Sequence, residues 1–177
     1  MTTDLMKKLA AEIAEIAVLH GQFTLRSGRT STYYLDKYLF STRPRILKQL
    51  GQLFAERISE DVDRLAGAEL GGIPLVSSAS IEANLPCIFI RNSKKDYGTS
   101  KQLEGALNQG DRVVLLEDVA TTGGQALEAA QIIGSCGGEV VKVIATIDRL
   151  EGARENIEAA GLPFESLFTK DDLGVQG

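Results

Sequence analysis

Short apolar runs alternate with segments of helical character beyond residue 60. The apolar runs cover residues 62–66, 87–90, 113–116 and 140–147, and the helical segments cover residues 73–83, 125–133 and 151–159. Strands that alternate with helices are typical of a parallel sheet covered by helices on both faces. Because each run is continuously apolar rather than alternating, each strand is expected to be buried on both sides. The sequence therefore predicts an α/β fold around a central, mainly parallel sheet.

The N-terminal part of the chain predicts a smaller arrangement of its own. Apolar residues recur at helical spacing from residue 5 to 17, and the helix is expected to end near residues 20–21, where the first glycine after it occurs. Residues 23–25 and 33–35 flank a polar stretch, a pattern typical of two strands joined by a hairpin-like turn. Pro44 then begins a second helix.

Composition and charge exclude several classes of function. The 177 residues are 44% hydrophobic and carry a net charge of −5, so a nucleic-acid partner is not expected. Neither a membrane span nor an N-terminal signal segment is recognisable, which favours a cytoplasmic protein with no membrane partner. Cys87 and Cys136 have no partners at a metal-type spacing and are expected to be buried thiols. With no repeat or clear linker, residues 1–177 are expected to form a single domain.

The stretch of residues 112–125 carries the strongest functional signal. An apolar strand brings Glu117 and Asp118 to its C-terminal end, and a loop of threonines and glycines leads into a helix. The N–H groups of such a loop, with the positive end of the helix dipole, bind phosphate. Carboxylates at the same strand end accept hydrogen bonds from sugar hydroxyls or hold hydrated magnesium. A plain strand end followed by a plain turn is the alternative, but the ordered combination favours a ribose-phosphate site.

Residues 113–124 resemble the phosphoribosyl-diphosphate-binding signature of type I phosphoribosyltransferases. Within that superfamily the chain resembles the orotate phosphoribosyltransferase family. Residues 23–36 resemble its base-binding segment and residues 67–74 its diphosphate-side loop. Residues 90–105 resemble its mobile catalytic loop, and residues 148–149 the ending of a later strand. The resemblance implies the type I phosphoribosyltransferase fold, with helices around a mainly parallel sheet and a small N-terminal hood that binds the base.

The same resemblance implies an activity. The phosphoribosyl group of 5-phosphoribosyl 1-diphosphate would pass to orotate, giving orotidine 5′-monophosphate and diphosphate in de novo pyrimidine (UMP) biosynthesis. Mg²⁺ is the implied cofactor, carried mainly by the diphosphate, so that no residue is assigned as a metal ligand. Orotate and phosphoribosyl diphosphate are the implied small-molecule partners. Because the mobile loop of this family reaches into the neighbouring subunit, a homodimer with the loop acting in trans is also implied.

Individual residues receive roles from this resemblance. Lys95, Arg91 and Asp118 are the implied catalytic residues, since negative charge develops on the departing diphosphate and needs cations nearby. Arg149 is implied to pair with the orotate carboxylate, because a guanidinium group matches a carboxylate with two hydrogen bonds. The implied substrate-binding residues are Arg26, Tyr34, Leu35, Arg91, Lys94, Lys95, Tyr97, Glu117, Asp118, Val119, Ala120, Thr121, Thr122, Gly123, Gly124, Gln125 and Arg149.

Within this set, Glu117 and Asp118 are expected to bind the ribose hydroxyls, residues 120–124 the 5′-phosphate, and Tyr34 with Leu35 the two sides of the pyrimidine ring. Two alternatives stay open. The first is transfer to another base, because Arg149 and the hairpin segment fix the base less firmly than the loop fixes the sugar. The second, from a different class, is a regulator that senses phosphoribosyl diphosphate with little catalysis. This regulator stays open because Asn92 and Gly71 stand where family members can carry lysine.

Overall fold

An N-terminal helix and hairpin precede the main sheet. The structure, a computed structural model, describes residues 3–24, 30–93 and 102–175. Helix α1 spans Thr3–Ala17, and strands β1 (Val18–Thr24) and β2 (Thr30–Leu35) form an antiparallel pair. The predicted helix end near residues 20–21 is wrong, because the chain leaves α1 at Ala17 to pair with β2. His20 lies within β1, opposite Tyr33.

A six-stranded sheet forms the centre of the fold. Its members are β3 (Arg64–Ala68), β4 (Cys87–Ile90), β5 (Leu103–Glu104), β6 (Arg112–Ala120), β7 (Glu139–Asp148) and β8 (Phe164–Thr169). The spatial order is β5-β4-β3-β6-β7-β8, with β5 antiparallel to β4 and every other neighbouring pair parallel. The helices after the hairpin are α2 (Lys37–Ser41), α3 (Pro44–Ala55), α4 (Gly72–Ala83), α5 (Gly124–Ser135) and α6 (Ala153–Ala159), followed by a short 3-10 helix at Asp171–Leu173.

Both faces of the sheet are buried, as predicted from the continuous apolar runs. Val114 and Leu116 of β6 pack in one core with residues of α1, α3 and α4, while Val113 and Leu115 pack in a second core with residues of α5 and α6. All four side chains are at most 1% exposed. Because burying one such side chain contributes about 1.5–3 kcal/mol, these strands anchor the sheet beneath the loops at its edge. The predicted α/β class is confirmed.

Several elements differ from the sequence-based expectation. Strand β6 continues to Ala120, so the acidic pair lies within the strand, and β5, β8 and α2 were not predicted. The segment of residues 90–105, which resembles the mobile catalytic loop, includes the end of β4 and the short strand β5, and Arg91 N–H donates to Gln102 C=O at 2.8 Å. Two buried thiols were expected, but Cys87 is half-buried and Cys136 is exposed, because Cys136 ends α5 where the chain turns. Among the described helices, none is long and apolar enough to cross a membrane.

Candidate active site

The C-terminal ends of β3 and β6 define the place where a ligand can enter. The chain passes from β3 through α4 to β4 on one side, and from β6 through α5 to β7 on the other. A crevice opens where neighbouring strands send their connections in opposite directions, and ligands of open α/β sheets bind there. The predicted site segment therefore ends at the crevice between β3 and β6, where this strand order suits a ligand.

The loop between β6 and α5 is closely held by α6. Gly123 precedes α5 with φ of 78°, a conformation that favours glycine. A Cβ atom at this position would lie 2.8 Å from Ile157 Cγ1, so space also requires glycine. Asn156 Nδ2 donates to the Thr122 carbonyl oxygen at 2.9 Å. The first N–H groups of α5 are thereby held at the mouth of the crevice, where they are suited to an anion.

A cavity of about 730 Å³ lies over this loop. It is lined by Thr24, Tyr34, Glu117, Val119, Ala120, Thr121, Thr122, Gly123, Gly124, Gln125, Ala126, Arg149 and Glu151. Of the predicted site residues, the structure thus brings together Tyr34, Glu117, Arg149 and the whole of residues 119–125. Thr24, Ala126 and Glu151 were not predicted. Glu151 follows the assigned arginine by two residues, and this proximity was the available signal.

Arg149 lines the same cavity as the loop and is held by several contacts. Its backbone N–H donates to Ala120 C=O at 2.9 Å, which joins the ends of β7 and β6. The side chain is 15% exposed and pairs with Glu151 Oε1 at 2.9 Å. Its Nη2 also donates to the Tyr33 hydroxyl at 3.1 Å, and the guanidinium carbon lies 5.4 Å from the centre of the Tyr33 ring. Its buried Nε has no hydrogen-bond partner among the described residues.

The two residues expected to enclose the pyrimidine ring point to opposite sides of β2. Tyr34 is 44% exposed, lines the cavity and packs against Phe23, with the ring centres 5.6 Å apart. Leu35 packs against the core instead, because successive side chains of a strand alternate between faces. Tyr33 shares the inward side and is 8% exposed. The structure therefore brings Tyr34 to the cavity but not Leu35, and adds Tyr33 as a support for Arg149.

The two acidic side chains have different surroundings: Glu117 lines the cavity and Asp118 does not. Glu117 lines the cavity and is 5% exposed, whereas Asp118 is 2% exposed and turns away. Asp118 Oδ1 accepts a hydrogen bond from Val119 N–H at 2.6 Å, and its Oδ2 lies 2.7 Å from Lys37 Nζ on α2. Asp118 N–H donates to Glu117 Oε1 at 3.2 Å. Lys37 was not assigned to the site by sequence reasoning.

Burial and charge shift two pKa values at this point. Removal from water, together with the neighbouring charge of Asp118, raises the pKa of Glu117 to about 8. Burial alone would lower the pKa of the Lys37 ammonium, but the charge and hydrogen bond of Asp118, with smaller effects from Tyr38 and Glu117, raise it above its usual value. Glu117 is therefore protonated in much of the neutral pH range, while Lys37 stays charged.

The raised pKa of Glu117 predicts a pH-dependent stability. Between the ordinary value of 4.5 and about 8 the folded protein keeps a proton that the unfolded chain releases. The free energy of unfolding should therefore fall as pH rises through this window, by at most about 1.4 kcal/mol per pH unit. Urea unfolding of the wild type and Glu117→Gln from pH 5 to 8.5 measures this, since the amide cannot titrate. Parallel curves for the two proteins would contradict the prediction.

The described ends of the predicted catalytic loop lie beside the cavity. Arg91 Nη1 lies 4.0 Å from Glu104 Oε1, so this predicted catalytic cation faces an acid on β5 and is not among the lining residues. Asn92 N–H donates to Glu69 Oε1 at 2.6 Å, and Gln125 Nε2 contacts Asn92 Oδ1 at 3.4 Å. The remaining predicted residues lie outside the described ranges and are Arg26, Lys94, Lys95 and Tyr97.

Comparisons with known proteins agree on one family. A model of the phosphoribosyl transferase domain matches residues 40–160. A curated orotate phosphoribosyltransferase of Natronomonas pharaonis is 45% identical over 157 residues, covering 89% of this chain and 90% of the relative. That of Methanocaldococcus jannaschii is 42% identical over 171 residues, covering 96% and 97%. The solved Mycobacterium tuberculosis orotate phosphoribosyltransferase in complex with 5-phospho-alpha-D-ribosyl 1-diphosphate superposes with a TM-score of 0.82 at 32% identity, covering 96% of this chain and 99% of that one.

Proposed function

Because this chain belongs to the orotate phosphoribosyltransferase family, we propose that it transfers the phosphoribosyl group of 5-phosphoribosyl 1-diphosphate to orotate. The products are orotidine 5′-monophosphate and diphosphate. One observation carries the proposal: a phosphate-type loop and an arginine line the same cavity. The proposed working unit is the whole chain, residues 1–177, acting as one domain in the cytoplasm.

The loop side of the cavity suits the ribose phosphate. The backbone N–H groups of residues 120–124 and the hydroxyls of Thr121 and Thr122 supply donors for the 5′-phosphate, and the dipole of α5 adds positive potential. Glu117 supplies a carboxyl group at the cavity wall for a ribose hydroxyl. These groups stand close together because β6 and α5 are consecutive elements of the chain. The sugar phosphate is therefore the part of the substrate that this side would hold.

The arginine side suits an acidic, flat base. Arg149 lines the cavity with its side chain 15% exposed, and orotate carries a carboxylate at its ring edge with which a guanidinium group can pair. Tyr34 offers an exposed aromatic face in the same cavity, against which a pyrimidine ring can stack. Tyr33 and Glu151 hold the guanidinium in place before the base arrives. Such preorganisation favours an acidic base over a neutral one.

Departure of diphosphate leaves an electron-poor sugar carbon, and catalysis must offset the charge that builds on the leaving group. Lys95 and Arg91 on the loop are the proposed cations. Asp118 was predicted as a catalytic residue, but because its carboxylate turns away from the cavity toward Lys37, we propose that it acts through the position of the strand end and not by contact with the substrate. Among the described residues, no cluster of three or more side chains is arranged to hold a metal ion. We propose that Mg²⁺ enters on the diphosphate and neutralises part of its charge there.

A panel of bases tests the proposal. Purified protein is incubated with Mg²⁺, phosphoribosyl diphosphate and orotate, uracil, adenine or hypoxanthine in turn, and diphosphate release is followed. Consumption of orotate with little or no consumption of the other bases is expected. Faster consumption of a neutral base would identify that base, and not orotate, as the substrate. Tight binding of phosphoribosyl diphosphate without turnover of any base would favour a sensing regulator instead.

A homodimer with the loop acting in trans is proposed as well, and complementation tests it. Lys95→Ala should lower turnover strongly while much of the affinity for phosphoribosyl diphosphate remains. A 1:1 mixture of Lys95→Ala with a phosphate-loop variant, refolded together, should recover about a quarter of wild-type activity, because half of the dimers are mixed and each has one intact site. Absence of recovery, with mixed dimers demonstrated by tag pull-down, would contradict a shared site.

A further inference from the structure

A lysine outside the predicted motifs meets the acidic pair from the opposite side to the cavity. Lys37 is the first residue of α2, the short helix that follows the β1–β2 hairpin. Its ammonium lies 2.7 Å from Asp118 Oδ2, and the two side chains are 30% and 3% exposed. A half-buried lysine and a buried aspartate in direct contact form a pair that is costly to break, because either partner alone leaves an uncompensated charge.

The space that Asp118 occupies is made available by Gly71. A Cβ atom at position 71 would overlap Asp118 Oδ2, and the backbone at Gly71 has an ordinary right-handed conformation. Glycine is therefore required there by the aspartate and not by the backbone. The carboxylate fills the gap at the start of α4, with one oxygen on Val119 N–H and the other on Lys37. Both oxygens are used, so this orientation is well specified.

The charge balance at this point depends on Lys37. Glu117 and Asp118 are adjacent, both are at least 95% buried, and a phosphoribosyl ligand brings several further negative charges. Of the cations in the described residues, Lys37 is the one paired with either carboxylate. Without Lys37 the buried Asp118 carboxylate would have no paired cation among the described residues, and its charge would repel an anionic ligand.

We propose that Lys37 is a positioning residue for phosphoribosyl-diphosphate binding, which holds the Asp118 carboxylate against Gly71 and supplies the positive charge that lets an acidic strand end accept an anionic sugar. The inference rests on the proposed transfer reaction only for the identity of this ligand. Lys37 would connect the N-terminal hairpin to the sugar site. Helix α2 directly follows the β1–β2 hairpin that carries Tyr34, and Lys37, the first residue of α2, holds the end of β6 from which the phosphate loop begins.

Three variants test the role of the charge. Lys37→Met keeps most of the side-chain length without the ammonium, and should weaken binding of phosphoribosyl diphosphate about 10- to 100-fold, the loss typical of one hydrogen bond to a charged group. Lys37→Arg should retain most of the affinity. Lys142→Met is the matched control, since Lys142 is 23% exposed and pairs with Glu165 at 2.9 Å near the far end of β7. It should leave the affinity unchanged.

Calorimetry with phosphoribosyl diphosphate and Mg²⁺, in the absence of any base, is the primary readout. It distinguishes this inference from the proposed function, because it does not depend on which base reacts. In turnover assays, KM for phosphoribosyl diphosphate should rise in Lys37→Met while KM for orotate changes less than about threefold. Unchanged affinity in Lys37→Met, or equal losses in Lys37→Met and Lys142→Met that follow their melting temperatures, would overturn the proposal.

A double variant tests whether positions 37 and 71 serve the same carboxylate. Gly71→Lys alone should weaken binding, because its Cβ meets an aspartate held in place by Lys37. In Lys37→Ala/Gly71→Lys the aspartate is free to turn, and the new ammonium can reach it. The double variant should therefore bind more tightly than the product of the two single losses predicts. Strictly multiplicative losses would refute a shared role of the two positions.

Discussion

Replacement of Arg149 by methionine is expected to lower kcat/KM for orotate by about 100- to 1,000-fold, while binding of phosphoribosyl diphosphate changes little. The guanidinium is nearly buried, and Tyr33 and Glu151 already orient it. Its loss would leave the carboxylate of the base without a charged partner in a partly dehydrated cavity, which costs far more than an exposed ion pair. Steady-state kinetics with each substrate varied separately measures the effect.

A second arginine in the chain provides the control for that variant. Arg154 lies over the Phe164 ring at 5.2 Å and pairs with Glu158 at 3.0 Å, a comparable set of partners, but it is 47% exposed and outside the cavity lining. Arg154→Met should leave orotate kinetics within about twofold, because a half-exposed pair of this kind contributes little. Tyr33→Phe should give an intermediate loss, since it removes only the hydroxyl that accepts from Arg149. Equal effects of Arg149→Met and Arg154→Met would argue against a base-binding role.

Gly123→Ala is expected to lower the free energy of unfolding by about 2–4 kcal/mol and to abolish measurable phosphate binding. Two costs add together. The backbone at φ of 78° disfavours a side chain, and the new methyl group meets Ile157 Cγ1 at 2.8 Å and Ala153 C=O at 3.2 Å. Relief of the contact moves the loop away from α6 and so displaces its N–H groups from the cavity. Urea unfolding and titration with phosphoribosyl diphosphate measure the two effects.

Two other glycines separate these costs. Gly110 has a similar φ of 83°, but a Cβ atom added there would meet nothing within 4 Å. Gly110→Ala should therefore lower the free energy of unfolding only by the cost of the backbone conformation, about 1–2 kcal/mol, and should leave binding of phosphoribosyl diphosphate unchanged. Gly124 lies in α5, where the atom nearest to an added Cβ, Thr122 Oγ1, is 3.7 Å away. Gly124→Ala should therefore leave the free energy of unfolding unchanged or raise it slightly. If Gly123→Ala lowers the free energy of unfolding by no more than Gly110→Ala does, then contact with α6 does not hold the loop.

Local patterns predicted the elements that have strong local causes. Pro44 begins α3 because proline suits a first helical turn, and Cys87–Ile90 forms a strand because four apolar residues follow a proline and precede polar sequence. The segment Phe164–Thr169 was missed because Glu165 and Ser166 interrupt its apolar character at the sheet edge, where one side of β8 is less buried. Helix α2 is only five residues long, too short for a periodic signal.

The site was predictable where its residues are consecutive. Residues 119–125 line the cavity together because one strand, one loop and one helix follow each other there. The contacts that support it join residues far apart in the chain: Arg149 with Tyr33, and Asp118 with Lys37. Such pairs follow from how the hood packs on the sheet, and no spacing within either segment indicates them. The expected pairing of Tyr34 with Leu35 overlooked that neighbours in a strand face opposite ways.

The hydrogen bond between Arg91 N–H and Gln102 C=O has a consequence for how this family can diversify. It joins the residue directly after β4 to the residue directly before β5, so both ends of the intervening stretch are fixed next to the sheet. An exchange of residues within that stretch keeps both of these anchors. A relative's segment grafted between Asn92 and Gln102 is therefore expected to leave the protein folded, and urea unfolding of the graft measures this.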